Sequence, residues 1–171
     1  MHKNQRNRES FETIRELLPF PFPCPNSESI SKILWCFLDI FPLAAYNTIK
    51  NHLENTGASP TDFDLILTGD LGLVDGEILI NLFQQDGVDI SKVHGDCGLM
   101  LYDREKQDVH AGGSGCGCSA SVLCGHILNR IKSGELKNVL FTATGALMSP
   151  TIVQQGESIP GIAHAVHISN M

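Results

Sequence analysis

Beyond residue 42, hydrophobic and polar positions follow the pattern of an α/β protein. Apolar residues recur at helical spacing in three segments, which predicts helices over residues 43–56, 77–85 and 118–132. Two short and largely apolar runs, residues 64–69 and 138–144, predict strands, each with a glycine at or just after its end. Because such strands are buried on both sides, the pattern predicts a sheet with helices on both faces.

Two further segments are less regular. Residues 93–102 are compatible with a strand or with an irregular lining segment, and residues 162–168 predict a last strand whose alternation is incomplete. The predicted order is therefore helix, strand, helix, uncertain strand, helix, strand, strand.

Residues 1–42 differ in character from the rest of the chain. They contain five of the eight prolines, and four of these alternate with other residues through 19–25, which excludes a helix or a central strand there. A short helix is predicted over 11–18, and residues 29–41 form an apolar run of uncertain type. We therefore divide the chain into a divergent, proline-rich N-terminal extension, 1–42, and a folded α/β part, 43–171.

The composition and charge of the chain exclude several classes of function. The 171 residues are 42% hydrophobic and 18% charged, with a formal net charge of -7, as in an ordinary globular chain. No basic block follows Arg15, so we exclude a nucleic-acid partner. No apolar run is long enough to span a membrane, and the basic N-terminus leads into glutamates rather than a signal core. We therefore expect a cytoplasmic protein.

The cysteine pattern predicts reduced thiols rather than a disulfide framework, because six cysteines occur without a signal sequence. Cys116 and Cys118 form a C-x-C pair in a glycine-rich stretch, and Cys124 follows nearby. Zinc sites generally use C-x2-C spacing with a second pair, and His94 and Cys97 complete such a set only if the fold brings them close. We therefore expect neither a metal nor another cofactor.

The most distinctive stretch is residues 111–120, in which no side chain is larger than a thiol. Such side chains let the backbone approach a ligand or another helix closely. Two other glycine-containing segments, 68–72 and 143–150, also begin where predicted strands end. Because ligands of open α/β sheets bind outside the carboxyl ends of the strands, we expect the three loops to line one pocket. Ligand contact and plain core packing are equal alternatives for 111–120.

Five segments resemble the stage V sporulation protein AD family of spore-forming bacteria. They are TGDLG at 68–72, HGDCGLM at 94–100, DVHAGGSGCGCS at 108–119, ATGALMSP at 143–150 and QQGESIP at 154–160. The resemblance is continuous from residue 43 to 168 and does not extend into the proline-rich extension. It implies a thiolase-like α/β fold, in which two similar halves are each built as βαβαββ, and it covers the C-terminal half only.

The resemblance also implies a function. The family is associated with binding dipicolinic acid and moving it into the forespore, within a membrane-associated assembly, and is regarded as a binding relative of the enzymes. It therefore implies a non-enzymatic, truncated sporulation protein of the forespore, peripheral to the spore inner membrane. The implied partners are other dipicolinate-channel proteins, with a homodimer in the intact family. The candidate ligand contacts are Ser114, Cys116, Gly117, Ser119, Gly145 and Ala146.

Two alternatives to a binding protein stay open. One is an acyltransferase that uses the Cys116 thiolate, and the other is a structural half that docks on a separate N-terminal half. Thiolase-like enzymes place their nucleophilic cysteine in the first half. They supply histidine or asparagine from the second, whereas the loops at 68–70 and 115–117 carry neither imidazole nor carboxamide. We therefore assign no catalytic residue.

The remaining polar residues are expected to be structural. His94 and His110 are single histidines without an obvious catalytic neighbour in sequence. Asp70 and Asp96 follow apolar strands, where a carboxylate most often caps the next helix.

Overall fold

The computed structural model describes residues 28–146, 151, 154–155 and 161–170, with helical backbone but no side chains over 28–39. The chain falls into two compact units, Met1–Asp39 and Ile40–Met171. The first is described only as helix from residue 28, and the second contains the sheet. The predicted helix at 11–18 and the proline-rich run at 19–25 lie outside the described residues.

Helices and strands follow one another from residue 28 onward. The first elements are α1 (Glu28–Thr56), a 3-10 turn (Pro60–Asp62), β1 (Leu65–Thr68), α2 (Gly72–Gln85), β2 (His94–Asp96) and the single turn α3 (Cys97–Met100). They are followed by α4 (Cys118–Val122), a π-helical turn (Leu123–Ile127), α5 (Leu128–Lys132), β3 (Asn138–Ala146) and β4 (Gly161–Ser169). Pro42 lies inside α1, and Gly57, just past its end, has a φ of 66°.

The four strands form one mixed sheet in the order β2-β1-β3-β4. β1 is parallel to both β2 and β3, and β3 is antiparallel to β4. The carboxyl ends of the three parallel strands therefore share one edge, where Thr68 lies beside Asp96 on one side and Thr142 on the other. We call this the carboxyl edge. It is the place where open α/β sheets bind ligands.

Helices cover both faces of the sheet, as the alternation of elements predicts. Ile66 and Leu140 face a buried cluster that includes α1 and α2 residues, whereas Leu67 and Val139 face a second cluster that includes α4 and α5 residues. Fully burying one such side chain stabilises the fold by about 1.5–3 kcal/mol. The α/β prediction with a mixed, doubly covered sheet is therefore confirmed.

A π-helical turn, Leu123–Ile127, interrupts the helix that follows the small-residue stretch. Buried Val122 and Ile127 are five residues apart, a spacing that a regular α-helix would place on different faces. The wider turn rotates the helix so that Val122 before it, Ile127 at its end and Ile131 after it all pack into the same cluster. The helix predicted at 118–132 is confirmed, with this local change.

Other predicted elements differ at their boundaries. The apolar run at 29–41 is part of α1, and the predicted helix at 77–85 begins five residues earlier, at Gly72. The ambiguous segment 93–102 contains a three-residue strand and one helical turn. The strands predicted at 64–69, 138–144 and 162–168 are confirmed as β1, β3 and β4.

Candidate functional site

The small-residue stretch meets the ends of β1 and β3 at the carboxyl edge. A Cβ atom placed on Gly69 would lie 3.4 Å from Ser119 Cβ and 3.5 Å from Ala143 Cα. The thiol of Cys118 is buried and lies 3.9 Å from the Gly69 carbonyl oxygen. The start of α4 is therefore packed directly against the strand ends.

The first part of the stretch, residues 111–113, is a packing element. The Leu73 N–H donates to the Ala111 carbonyl at 2.9 Å, and the Gly113 N–H donates to the Gly98 carbonyl at 2.8 Å. A Cβ on Gly98 would lie only 2.2 Å from the Gly113 oxygen. This backbone-to-backbone contact needs glycine, so the packing interpretation holds for residues 111–113.

The second part, residues 114–117, is exposed. A Cβ on Gly115 or Gly117 would meet no heavy atom within 4 Å. Asp70 anchors the segment, because its Oδ2 accepts from Ser114 Oγ at 3.1 Å and from the Gly115 N–H at 3.2 Å. The prediction that Asp70 caps the next helix is wrong. Leu71 occupies the N-cap position of α2, and the Asp70 carboxylate contacts Ser114 and Gly115 instead.

Asp96 caps two helices, whereas the sequence predicted that it caps only the helix that follows it. Its side chain is 1% exposed and accepts five hydrogen bonds of 2.7–3.3 Å, from Thr68 Oγ1 and from the N–H groups of Leu71, Gly72, Gly98 and Leu99. One carboxylate therefore caps both α2 and α3 and holds them on the end of β1. The anion-binding end of α2 is already filled by this protein carboxylate.

His94 belongs to the same buried network. Its Nε2 lies 3.1 Å from Thr68 Oγ1. Since Thr68 donates its single proton to Asp96 at 2.7 Å, His94 must donate from Nε2. Burial lowers the pKa of His94, partly opposed by the nearby Asp96 charge. The structural role predicted for His94 is confirmed, whereas His110 is an exposed loop residue with a φ of 42° that contacts Asp108.

The described cysteines are free and fall into two groups. Cys97 and Cys118 are buried, and Cys116 and Cys124 are exposed. Burial raises the pKa of the Cys97 thiol to about 12, and Asp96 and Cys118 act in the same direction. Burial also raises the pKa of Cys118, with Asp70 and Asp96 adding to it. Neither buried thiol is suited to nucleophilic attack near neutral pH.

Thiol labelling tests this division. We expect iodoacetamide at pH 8 to modify Cys116 and Cys124 in the folded chain within minutes, and to leave Cys97 and Cys118 unmodified until urea is added. The physical reason is that Cys116 and Cys124 are exposed, whereas burial shields Cys97 and Cys118 from solvent and raises the pKa of both thiols. Peptide mapping by mass spectrometry gives each site separately. Labelling of Cys97 as fast as Cys116 in the native chain would contradict the assignment.

The six predicted ligand contacts all lie near the carboxyl edge. Ser114, Cys116 and Gly117 belong to the exposed segment, and Ser119 is half-buried against Gly69. Gly145 and Ala146 lie at the end of β3, with Gly145 exposed and no heavy atom within 4 Å of a Cβ placed there. Their role in binding stays a prediction.

In the described part of the chain, no three His, Cys, Asp or Glu side chains come close enough together to hold a metal ion. Among the helices that the structure describes, none combines the length and the apolar character that crossing a bilayer requires.

Sequence reasoning missed Thr68 and the full role of Asp96. Thr68 ends the apolar strand β1 and Asp96 ends the short strand β2, and the two strands prove to be neighbours in the sheet. Their location at the ends of strands could have indicated that they meet, because parallel strands bring their carboxyl ends together. The pairing of β1 with β2 was needed to show that the two side chains meet.

Comparison with known proteins agrees with the resemblance of the five segments. The family profile of Stage V sporulation protein AD matches residues 40–169. Stage V sporulation protein AD of Bacillus subtilis (strain 168) is 48% identical over 123 residues, which are 72% of this chain and 36% of that protein. The chain thus spans little more than a third of the length of this relative. It belongs to the Stage V sporulation protein AD family.

Proposed function

We propose that this chain is a non-enzymatic sporulation protein that binds dipicolinic acid at the carboxyl edge. The observation that carries the proposal is the exposed segment 114–117, which leaves open space beside the strand ends of a chain in this family. A flat, small dicarboxylate matches a site walled by glycine backbone and hydroxyl groups rather than by large side chains.

The start of α4 supplies hydrogen-bond donors for such an anion. α4 begins at Cys118, so the N–H groups of Ser119 and Ala120 have no acceptor one turn earlier in a regular helix. Small side chains let a carboxylate approach these groups. Asp70 already takes the donors of Ser114 and Gly115, so the ligand carboxylates must bind on the α4 side of the segment.

The surroundings of Cys116 support binding over catalysis. In the described contacts, no hydrogen bond or ion pair joins Cys116 to a histidine or a carboxylate, and His94 is engaged with Thr68. An acyltransferase needs a base within hydrogen-bond reach of its nucleophile. A thiol that lines a binding space fits this arrangement better than the acyltransferase alternative.

Calorimetric titration of the full 171-residue chain with dipicolinic acid tests the proposal. We expect saturable heat with the wild-type chain and binding weakened by about tenfold or more in Gly117→Leu, whose side chain fills the open space. Gly125→Leu is the matched control, because Gly125 is also exposed with no heavy atom near its Cβ position but lies on the π-helical turn. Absence of heat from a wild-type chain that circular dichroism shows to be folded contradicts the proposal.

The proposal also covers the fold family, the location and the partners of the chain. We infer a thiolase-like C-terminal half, a forespore location, and partners among the dipicolinate-channel proteins of the spore. Support comes from the mixed sheet with helices on both faces and from the family match over residues 40–169. Co-purification of the tagged chain from sporulating cells tests the partners, and recovery of the chain alone argues against them.

A further inference from the structure

His52 and His167 bring two imidazole rings together toward the end of the sheet opposite the carboxyl edge. α1 lies along β4, where Thr48 Oγ1 donates to the Ala163 carbonyl at 3.1 Å. One helical turn further along α1, His52 meets His167, with the ring centroids 6.0 Å apart and the ring planes at 73°. His167 lies opposite Leu140, near the start of β3. The pair is therefore separate from the proposed ligand-binding site at the carboxyl edge.

Phe63 contacts both rings. It is 4% exposed, and its ring centroid is 5.2 Å from that of His167 and 6.0 Å from that of His52. His52 itself is half-buried, whereas His167 is exposed. Among the described residues, the nitrogen atoms of these two imidazoles take part in no hydrogen bond or ion pair. The rings are thus held by aromatic packing, while their nitrogen atoms are available to a ligand.

We propose that His52 and His167 together bind one divalent transition-metal ion. Neutral imidazole is a common ligand of Zn²⁺, Ni²⁺ and Cu²⁺. Metal–nitrogen bonds of about 2.0–2.1 Å place the centroids of two rings on one ion roughly 4.5–6.5 Å apart, depending on the angle at the metal. The observed 6.0 Å lies within this range. Water completes the coordination, since among the described residues no third His, Cys, Asp or Glu joins the pair.

The support of the two rings favours binding. One ring belongs to a long helix and the other to a nine-residue strand, so regular elements rather than a loop set their separation. Packing on Phe63 restricts the rings before the ion arrives, which reduces the entropy lost on binding. The formal net charge of -7 attracts a cation. An ion held by both rings links α1 to β4, and it does so only in the folded chain.

Calorimetric titration of the full, untagged chain with Ni²⁺ tests the proposal. Ni²⁺ is the probe because thiolates favour Zn²⁺ and Cu⁺, and Cys116 and Cys124 are exposed. We expect saturable binding near neutral pH that His52→Asn and His167→Asn each weaken by about tenfold or more. The double variant adds little to this loss, because either single change already removes the second ligand.

His164→Asn is the matched control. His164 is also an exposed histidine of β4, three residues from His167 and therefore on the opposite face of the strand. We expect this variant to bind Ni²⁺ as the wild type does. Absence of saturable binding to the wild-type chain, equal affinity in His52→Asn and the wild type, or an equal loss in His164→Asn overturns the proposal.

Metal-dependent stability tests the link between the two elements. An ion that binds only the folded chain raises the free energy of unfolding as its concentration rises. We expect excess Ni²⁺ to raise the urea midpoint of the wild type and of His164→Asn, and to leave the midpoints of His52→Asn and His167→Asn unchanged. A shift of the same size in all four chains shows that the ion binds elsewhere and overturns the proposal.

Discussion

Replacing Asp96 with asparagine is expected to lower the free energy of unfolding by about 3 kcal/mol or more. The side chain accepts five hydrogen bonds in a site that is 1% exposed. An amide presents only one oxygen, and its NH2 group faces donors that then have no acceptor. Because the same carboxylate caps α2 and α3, the loss acts on both helices at once. Urea denaturation followed by circular dichroism measures the change.

Asp103→Asn is the control for this prediction. Asp103 is exposed and pairs with Lys106 at 2.7 Å, and surface pairs of this kind contribute little. We expect its midpoint of unfolding to stay close to that of the wild type. Equal midpoints for Asp96→Asn and the wild type would show that the buried carboxylate does not hold the two helices in place.

Gly98→Ala is expected to destabilise the fold by about 2–4 kcal/mol. The new methyl group would lie 2.2 Å from the Gly113 carbonyl oxygen, which is backbone and cannot rotate away. Relieving the clash must separate α3 from residues 111–113 and strain the Gly113 N–H bond to the Gly98 carbonyl. Thermal or urea unfolding gives the magnitude.

Gly117→Ala separates this clash from a general effect of removing glycine. Gly117 has a φ of -98° and no heavy atom near its Cβ position. We expect a change within about 0.5 kcal/mol, as is usual at exposed sites. Similar losses for Gly98→Ala and Gly117→Ala would contradict the close packing described for residues 111–113.

Periodicity was sufficient to predict most of the fold. The helix over 43–56 follows from its apolar spacing, because its buried residues face one cluster. Strands β1 and β3 follow from their apolar runs, because each strand is buried between both clusters. The start of α2 could not be predicted in this way. Its cap comes from Asp96, more than twenty residues away in sequence, so no local signal marks Gly72 as the first helical residue.

The candidate site was predictable in position but not in detail. Glycine-containing segments at strand ends indicated the carboxyl edge, because chain topology brings such ends together. The sequence could not show that Asp70 contacts Ser114 and Gly115, since 44 and 45 residues separate the partners. The sequence also left packing and ligand contact as equal alternatives for residues 111–120. The structure assigns residues 111–113 to packing and leaves residues 114–117 exposed.

The packed residues 111–113 and the exposed residues 114–117 are expected to tolerate substitution differently. In residues 111–113 the contact with Gly98 leaves little room for substitution, so change there is penalised through folding. At Gly117 a new side chain projects into open space at little thermodynamic cost, whereas Gly115 has a φ of 134°, which residues with a side chain rarely adopt. The exposed segment can therefore change its surface chemistry without loss of the fold, whereas the backbone contact beside it cannot change without a cost in stability.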